Sequence, residues 1–191
     1  MLQTASVSDG ELLEAARHGD DGAFTILHER YRAYVYRIAL RIVGHRDDAE
    51  DICQDVFLRL YERPPALEGP RALQLWLARV TTNIALNVLR SHRRARFHWL
   101  RWFRLDWLDR RAGTDGETHV ETSLLVRNVL EQLSERDRAL LALRACGMSY
   151  EDIAATLGLR QSSVGTLLAR AERRFREHYE ALVQKTEGVA Q

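Results

Sequence analysis

Two cysteines, three prolines and almost no net charge set the first limits on this 191-residue chain. Cys53 and Cys146 form no CxxC pair and no Cys/His cluster, so neither a zinc site nor a disulfide framework is offered. Both fall on apolar helical faces, which suits reduced, buried thiols in a cytoplasmic protein. No apolar run approaches membrane-spanning length, and the first residues lack the basic start and apolar core of a signal peptide. Lysine plus arginine number 28 against 27 aspartate plus glutamate. That balance excludes the global basic field of many nucleic-acid binders, so any contact with DNA has to use local patches. No Gly-rich phosphate loop, Ser/His/Asp set or His-carboxylate motif stands out, and the seven histidines show no ligand spacing. The sequence thus gives no sign of an enzyme, a metal site or a bound cofactor. Strand-like alternation and internal repeats are missing as well.

What remains is helix. Ser8 and Glu11 form a capping-box pattern that starts a short helix ending by Gly19. A longer helix is expected from about Asp21 to Gly44, with Phe24, Leu27, Tyr31, Val35, Ile38 and Ile42 as its inner stripe. A third begins at Arg46-Asp47 and carries Ala49, Ile52, Cys53, Val56, Phe57 and Leu60. Its acidic first turn complements the helix dipole, and Pro64-Pro65 breaks it. A fourth spans about Arg71 to Arg94, burying Leu73, Leu77, Val80, Ile84 and Val88. The composition then changes to mixed Trp and Arg, followed by a Gly/Thr/Asp stretch at 113–118, which marks a domain boundary. Helices resume near Glu121, and Ser134 with Asp137 caps one that Gly147 closes. The expected fold is all-α. Two small helical domains, 1–94 and 121–185, are joined by a linker at 95–120, and 186–191 form a tail.

Residues 147–176, GMSYEDIAATLGLRQSSVGTLLARAERRFR, read as a helix-turn-helix. Ser149 caps the first helix with Asp152 as its partner, Ile153, Ala154 and Leu157 lie at helical spacing, and Gly158 ends it. After a tight Leu159-Arg160 turn, a second helix carries the apolar stripe Val164, Leu167, Leu168, Ala171 and Phe175. Its other face presents Ser163, Thr166, Arg170 and Arg173. A small, polar and basic face can lie in a major groove while the stripe holds the helix to its domain.

The N-terminal helices make this more specific. The segments DDAEDICQDVFLRLYE and LQLWLARVTTNIALNVLRSHRR, followed by LSERDRALLALRACGMSYEDIAATLGL, occur in one order. Together they resemble the two domains of an extracytoplasmic-function sigma factor, the small class of bacterial RNA polymerase specificity subunit. The resemblance covers most of the chain apart from the middle segment and both termini. It implies that the DAED…Q..F helix docks on the polymerase clamp, through Asp48, Glu50, Asp51, Gln54 and Phe57 with Arg37 and Arg41 on the preceding helix. A partly acidic face meeting a basic coiled coil gives orientation and on-rate more than raw affinity. Dipole capping is the plainer role for the acidic residues. A metal-binding cluster would need further converging ligands, which the sequence does not arrange.

The resemblance also implies that the fourth helix opens and reads the −10 element. Arg79, Asn83, Asn87, Arg90, Arg93 and Arg94 would then meet phosphates and unpaired bases. Arg grips phosphate through a fork of donors, and Asn hydrogen-bonds a base edge. The loop Arg63–Gly69 stands where the family captures a flipped base. It holds two prolines and no aromatic, so a pocket there has to use backbone groups and apolar walls. Trp76 either stacks on a base or packs near Leu77. The −35 element would fall to Arg160, Gln161, Ser163, Thr166, Arg170 and Arg173, with Arg174 and Arg176 either joining them or left solvated. Here the chain departs from the family. Arg160 stands where a Ser or Thr often caps the recognition helix, which leaves Ser162 or Ser163 to cap a later start, and Gly165 and Leu167 stand where basic residues often occur. Gly165 costs about 1 kcal/mol relative to Ala, so a close backbone approach is expected there. Fewer cations predict a shallower salt dependence.

The middle segment RFHWLRWFRLDWLDRR places Trp99, Leu100, Phe103 and Trp107 on one helical face and Arg101 and Arg104 opposite. It reads as a membrane-surface helix, a docking site for a regulator or the polymerase, or a helix packed on one of the domains. Extended, residues 95–120 reach at most about 85–90 Å, comparable to the spacing of two promoter elements, and a conditionally ordered segment is expected. Core RNA polymerase, promoter DNA and an anti-sigma factor are the implied partners, with no small-molecule substrate. A polymerase-independent helix-turn-helix regulator and a protein-binding scaffold with a degenerate DNA reader are the alternatives. The DAEDICQ and WLARVTTN segments speak against the regulator.

Overall fold

Oxygen side chains start the short helices of this chain. In the computed structural model, which describes residues 7–67, 69, 71–100 and 117–187 (side chains for 7–67, 69, 71–92 and 125–184), every regular element described is an α-helix. Helix α1 (Asp9–Arg17) begins at a complete Ser8/Glu11 capping box. The Ser8 contacts hold the Glu11 carboxyl below the usual carboxylate range. Asp20 caps α2 (Asp21–Val43), Ser134 caps α6 (Glu135–Ala145) and Ser149 caps α7 (Tyr150–Leu157). Each accepts a hydrogen bond from a backbone N–H that the helix leaves unpaired. No side-chain cap starts α3 (Arg46–Glu62), where Asp47 and Asp48 in the first turn meet the positive end of the dipole instead. The remaining helices are α4 (Ala72–Leu100), α5 (Glu117–Gln132) and α8 (Gln161–Glu187).

Helix α2 is the centre of the first group and packs against α1, α3 and α4. Leu27, Val35, Ile38 and Ile42 of α2, Ile52, Val56 and Leu60 of α3, and Leu73 and Leu77 of α4 are almost fully buried. Burial of such side chains contributes about 1.5–3 kcal/mol each. Asp9 fastens α1 by accepting from both Arg30 and Tyr31. That acceptor, with burial as the larger cause, raises the Tyr31 hydroxyl well above its ordinary pKa. In the second group α8 is central, packing against α5, α6 and α7. Leu140, Leu143, Ile153, Val164 and Leu168 form its interior.

The two groups touch through α2–α6, α4–α6 and α4–α7, and buried side chains of both join one apolar cluster. Two helix ends differ from expectation. Helix α4 continues past Arg94 to Leu100, and α5 begins at Glu117, so both ends of the expected 95–120 linker are helical. No Pro or Gly interrupts the chain between Arg94 and Leu100, so nothing local stops the helix. The Trp/Arg face of Trp99, Leu100, Phe103 and Trp107, with Arg101 and Arg104, lies outside the residues whose side chains are described.

One seam contact is set by a buried charge. Arg138 of α6 is 5% exposed and donates through Nη2 to the Val43 carbonyl, 2.9 Å away, at the end of α2. The guanidinium satisfies a carbonyl orphaned by the helix end and meets the negative end of the dipole. Gly44 makes the approach possible. Its φ is +78°, and a Cβ there would stand 3.2 Å from the same Nη2. Gly44→Ala is expected to lower stability by about 1–2 kcal/mol through left-handed strain alone, measured by urea unfolding. An unchanged midpoint would mean that this corner is not held as described.

Candidate polymerase and nucleic-acid interfaces

The outer face of α3 is acidic and open. Asp47, Glu50, Asp51 and Gln54 are exposed, as are Arg37 and Arg41 on α2. Asp48 is half-buried and lies 3.8 Å from His92 Nδ1 of α4. Phe57 does not belong to this surface. It is 4% exposed, edge-on to Phe24 and His28, and lies in the core. Its position on the stripe with Cys53, Val56 and Leu60 turns it inward, so it fixes the helix and offers nothing to a partner. Leu58 and Tyr61, each 54% exposed, take its place on the outside. They follow Gln54 by four and seven residues and continue its face. That spacing was the available signal, and the sequence reading passed over it. The Tyr61 hydroxyl donates to Asp21 Oδ1 at 3.2 Å.

On α4 the side chains of Arg79, Asn83, Asn87 and Arg90 form one exposed row. Arg90 Nη1 donates to Asn87 Oδ1 at 3.0 Å, and its Nε to Glu135 Oε2 at 2.8 Å. Arg79 donates to the Ala155 carbonyl. The side chains of Arg93 and Arg94 lie outside those described. Trp76 is half-buried and packs against the core.

The helix-turn-helix is built by its caps. Ser149 Oγ accepts from the Asp152 amide at 3.1 Å and donates to Asp152 Oδ2 at 2.7 Å. Gly158, with φ +64°, turns the chain after α7. Helix α8 then begins at Gln161, and the Ser163 amide already donates to the Arg160 carbonyl at 2.9 Å. Ser162 and Ser163 therefore sit inside the first turn and do not cap a later start. Arg160, Gln161, Thr166, Arg170 and Arg173 are exposed, and Ser163 is half-buried. Arg173 pairs loosely with Glu177 at 3.5 Å. Arg174, with its side chain 43% exposed, holds Asp137 at 2.5 Å beneath the Ser134 cap.

The close backbone approach expected at Gly165 is not what the structure has there; its neighbour is the side chain of Tyr150. Its ring lies 3.4 Å from where a Cβ would be, with the Arg144 guanidinium 5.4 Å from the ring centroid. A methyl group fits at that distance. Burial and, secondarily, the nearby Cys146 and Asp152 push the Tyr34 hydroxyl up to about 12, and burial pushes the Cys53 thiol up. Both stay protonated near neutral pH. Among the described residues no cluster of three or more His, Cys, Asp or Glu side chains is placed to hold a metal ion.

The chain has relatives among known proteins. Residues 27–95 match sigma-70 region 2, and residues 123–175 match sigma-70 region 4. Over 169 residues the chain is 32% identical to the ECF RNA polymerase sigma factor SigM of Mycobacterium tuberculosis, covering 88% of this chain and 83% of SigM. The chain belongs to the extracytoplasmic-function sigma factors. This makes it a polymerase-binding promoter-recognition factor, a transcription initiation factor by family. Another relative, the sigma factor SigE of Mycolicibacterium smegmatis, is 31% identical over 169 residues; the chain spans 64% of its length, and the match covers 84% of this chain. The fold is shared with the sigma factor RpoE of Bartonella quintana, solved with the anti-sigma factor NepR. The TM-score is 0.60 at 22% identity, over 82% of this chain and 96% of that one. The region 2 match takes in α3 and most of α4, the helices that a polymerase-independent regulator would need for another purpose, so that reading is not favoured. No described helix is long and apolar enough to cross a membrane.

Replacing Gly165 with alanine is expected to raise stability by about 0.5–1 kcal/mol, because helix propensity improves and the added methyl only touches the Tyr150 ring. Thermal melts of the two proteins decide it. A loss of stability would mean that the ring has no room to yield.

Proposed function

We propose that promoter recognition is divided between two separate faces of this sigma factor. Residues 1–94 dock on core RNA polymerase through Asp48, Glu50, Asp51 and Gln54, with Arg37 and Arg41 and the newly recognised Leu58 and Tyr61. The same unit takes the −10 strand with Arg79, Asn83, Asn87, Arg90, Arg93 and Arg94. Residues 121–185 read the −35 duplex with Arg160, Gln161, Ser163, Thr166, Arg170 and Arg173. Residues 95–120 connect the two, and 186–191 form the tail. The observation that carries this reading is geometric. On α4 the side chains of Arg79, Asn83, Asn87 and Arg90 share one exposed row, and on α8 Gln161, Thr166, Arg170 and Arg173 are exposed, while Val164, Leu168 and Ala171 of α8 face inward.

The chemistry asked of the chain is binding alone. Captured bases offset an unstacking cost of a few kcal/mol per step, and nucleotidyl transfer belongs to the polymerase. No cofactor, metal or small-molecule substrate enters. The chain works in the cytoplasm, where polymerase and promoter DNA are, under an anti-sigma factor of the kind that holds the Bartonella relative.

Co-purification with core polymerase followed by run-off transcription tests the scheme. Asp51→Lys with Gln54→Ala is expected to abolish stable association with core and, with it, initiation. Arg170→Ala is expected to weaken −35 duplex binding and reduce the salt slope by about one, as loss of one phosphate contact does. If the Asp51/Gln54 variant initiates as well as the parent, α3 is not the docking face.

A further inference from the structure

The exposed face of α8 carries two methyl groups at its middle and cations at its ends. Thr166 and Ala169 are both exposed, three residues apart, on the face that also shows Gln161, Arg170 and Arg173. Arg160 precedes the first turn, Arg170 and Arg173 follow Ala169, and no charged residue stands between Gln161 and Arg170. Val164, Leu168 and Ala171 are buried, so they fix the helix and leave this face outward. Gly165 is half-buried and offers no side chain, and the Tyr150 ring lies 3.4 Å from where a Cβ there would stand. The foremost groups at the middle of the face are therefore those of Thr166 and Ala169. The Thr25 and Thr81 hydroxyls donate to the carbonyl four residues earlier, at 2.8 and 2.7 Å. Among the described residues the Thr166 hydroxyl makes no such bond.

In the major groove thymine is told from the other bases by its C5 methyl, and Ala and the Thr methyl are side chains that meet it. Three residues of an α-helix rise about 4.5 Å, and successive base pairs of duplex DNA rise about 3.4 Å. Two methyls at this spacing suit one base-pair step. We propose that α8 selects thymine by its methyl group, Thr166 and Ala169 meeting the C5 methyls of two successive A·T pairs in the −35 element while Arg170 and Arg173 hold flanking phosphates. The inference rests on the assignment of α8 to the −35 duplex made above and adds the base that this helix selects. Both side chains suit the task. Ala has no rotamer freedom to lose and Thr is stiff at χ1, so little entropy opposes the contact. Both are short, which lets the helix backbone come close to the base edges.

The test uses the full chain with core RNA polymerase and duplex promoters whose −35 letters are first selected from a randomised library. Each thymine of the selected element, on either strand, is then replaced singly by deoxyuridine. That change removes the methyl and keeps the base pair. Binding is expected to weaken about three- to fivefold at two successive pairs and to hold at other thymines. T166S removes the methyl and keeps the hydroxyl. It is expected to abolish the sensitivity at one of the two pairs, and A169G at the other. A circular-dichroism melt confirms that each variant folds, and T166S decides the matter alone should the glycine unfold α8. The proposal is overturned if every thymine tolerates deoxyuridine, if the selected element lacks two successive A·T pairs, or if the sensitivity persists unchanged in T166S and A169G. Failure of the functional reading looks different. The library would then return no −35 preference at all, and Arg170→Ala would bind promoter DNA as the parent does.

Discussion

An arginine keeps its charge in every environment a protein can make, so each guanidinium needs an acceptor. In a chain whose cations and anions nearly balance, that requirement shapes how the two helical groups meet. Arg138 is buried at the seam and finds the Val43 carbonyl. Arg41, Arg71, Arg79 and Arg90 find helix-end carbonyls or carboxylates across the same seam. Apolar side chains are continuous through this region, but hydrophobic burial is non-directional. A planar fork of donors is directional, and it sets which helix end faces which.

The same property explains what kind of group these arginines take as a partner. Carboxylate, helix-end carbonyl and phosphate all present oxygen with negative charge, and a guanidinium binds each through similar geometry. Helix α4 is held in this way to α7 through Arg79 and to α6 through Arg90. On helix α8, Arg170 and Arg173 are exposed, Arg174 holds Asp137 of α6, and the apolar stripe of Val164, Leu168 and Ala171 is buried.

Much of the fold was legible beforehand, at particular places. Ser8 with Glu11, Ser134 with Asp137 and Ser149 with Asp152 were each read as helix starts, and each is one, because a cap depends on residues three apart. The stripe of α2 was read correctly at Leu27, Val35, Ile38 and Ile42. Phe57 is a core residue, not a surface one. The residue lay on the apolar stripe of α3 and also in a family pattern associated with docking, and only burial separates a side chain that makes the contact from one that positions the helix. Leu58 and Tyr61 are exposed, and their spacing of four and seven residues from Gln54 places them on its face rather than on the inner stripe. Gly165 suggested a close neighbour, but Tyr150 is fifteen positions earlier and no local rule names it.

The amino-acid order by itself determined the helices, the side-chain-capped starts and the family, because caps and three-to-four-residue spacings act over a single turn. Only the folded chain decided which cations are engaged. Arg41 and its acceptor Ala145 are 104 positions apart, and Arg71 and Asp152 are 81 apart. Charges so distant along the backbone become partners only after two helical groups have packed, and nothing in either neighbourhood announces the other.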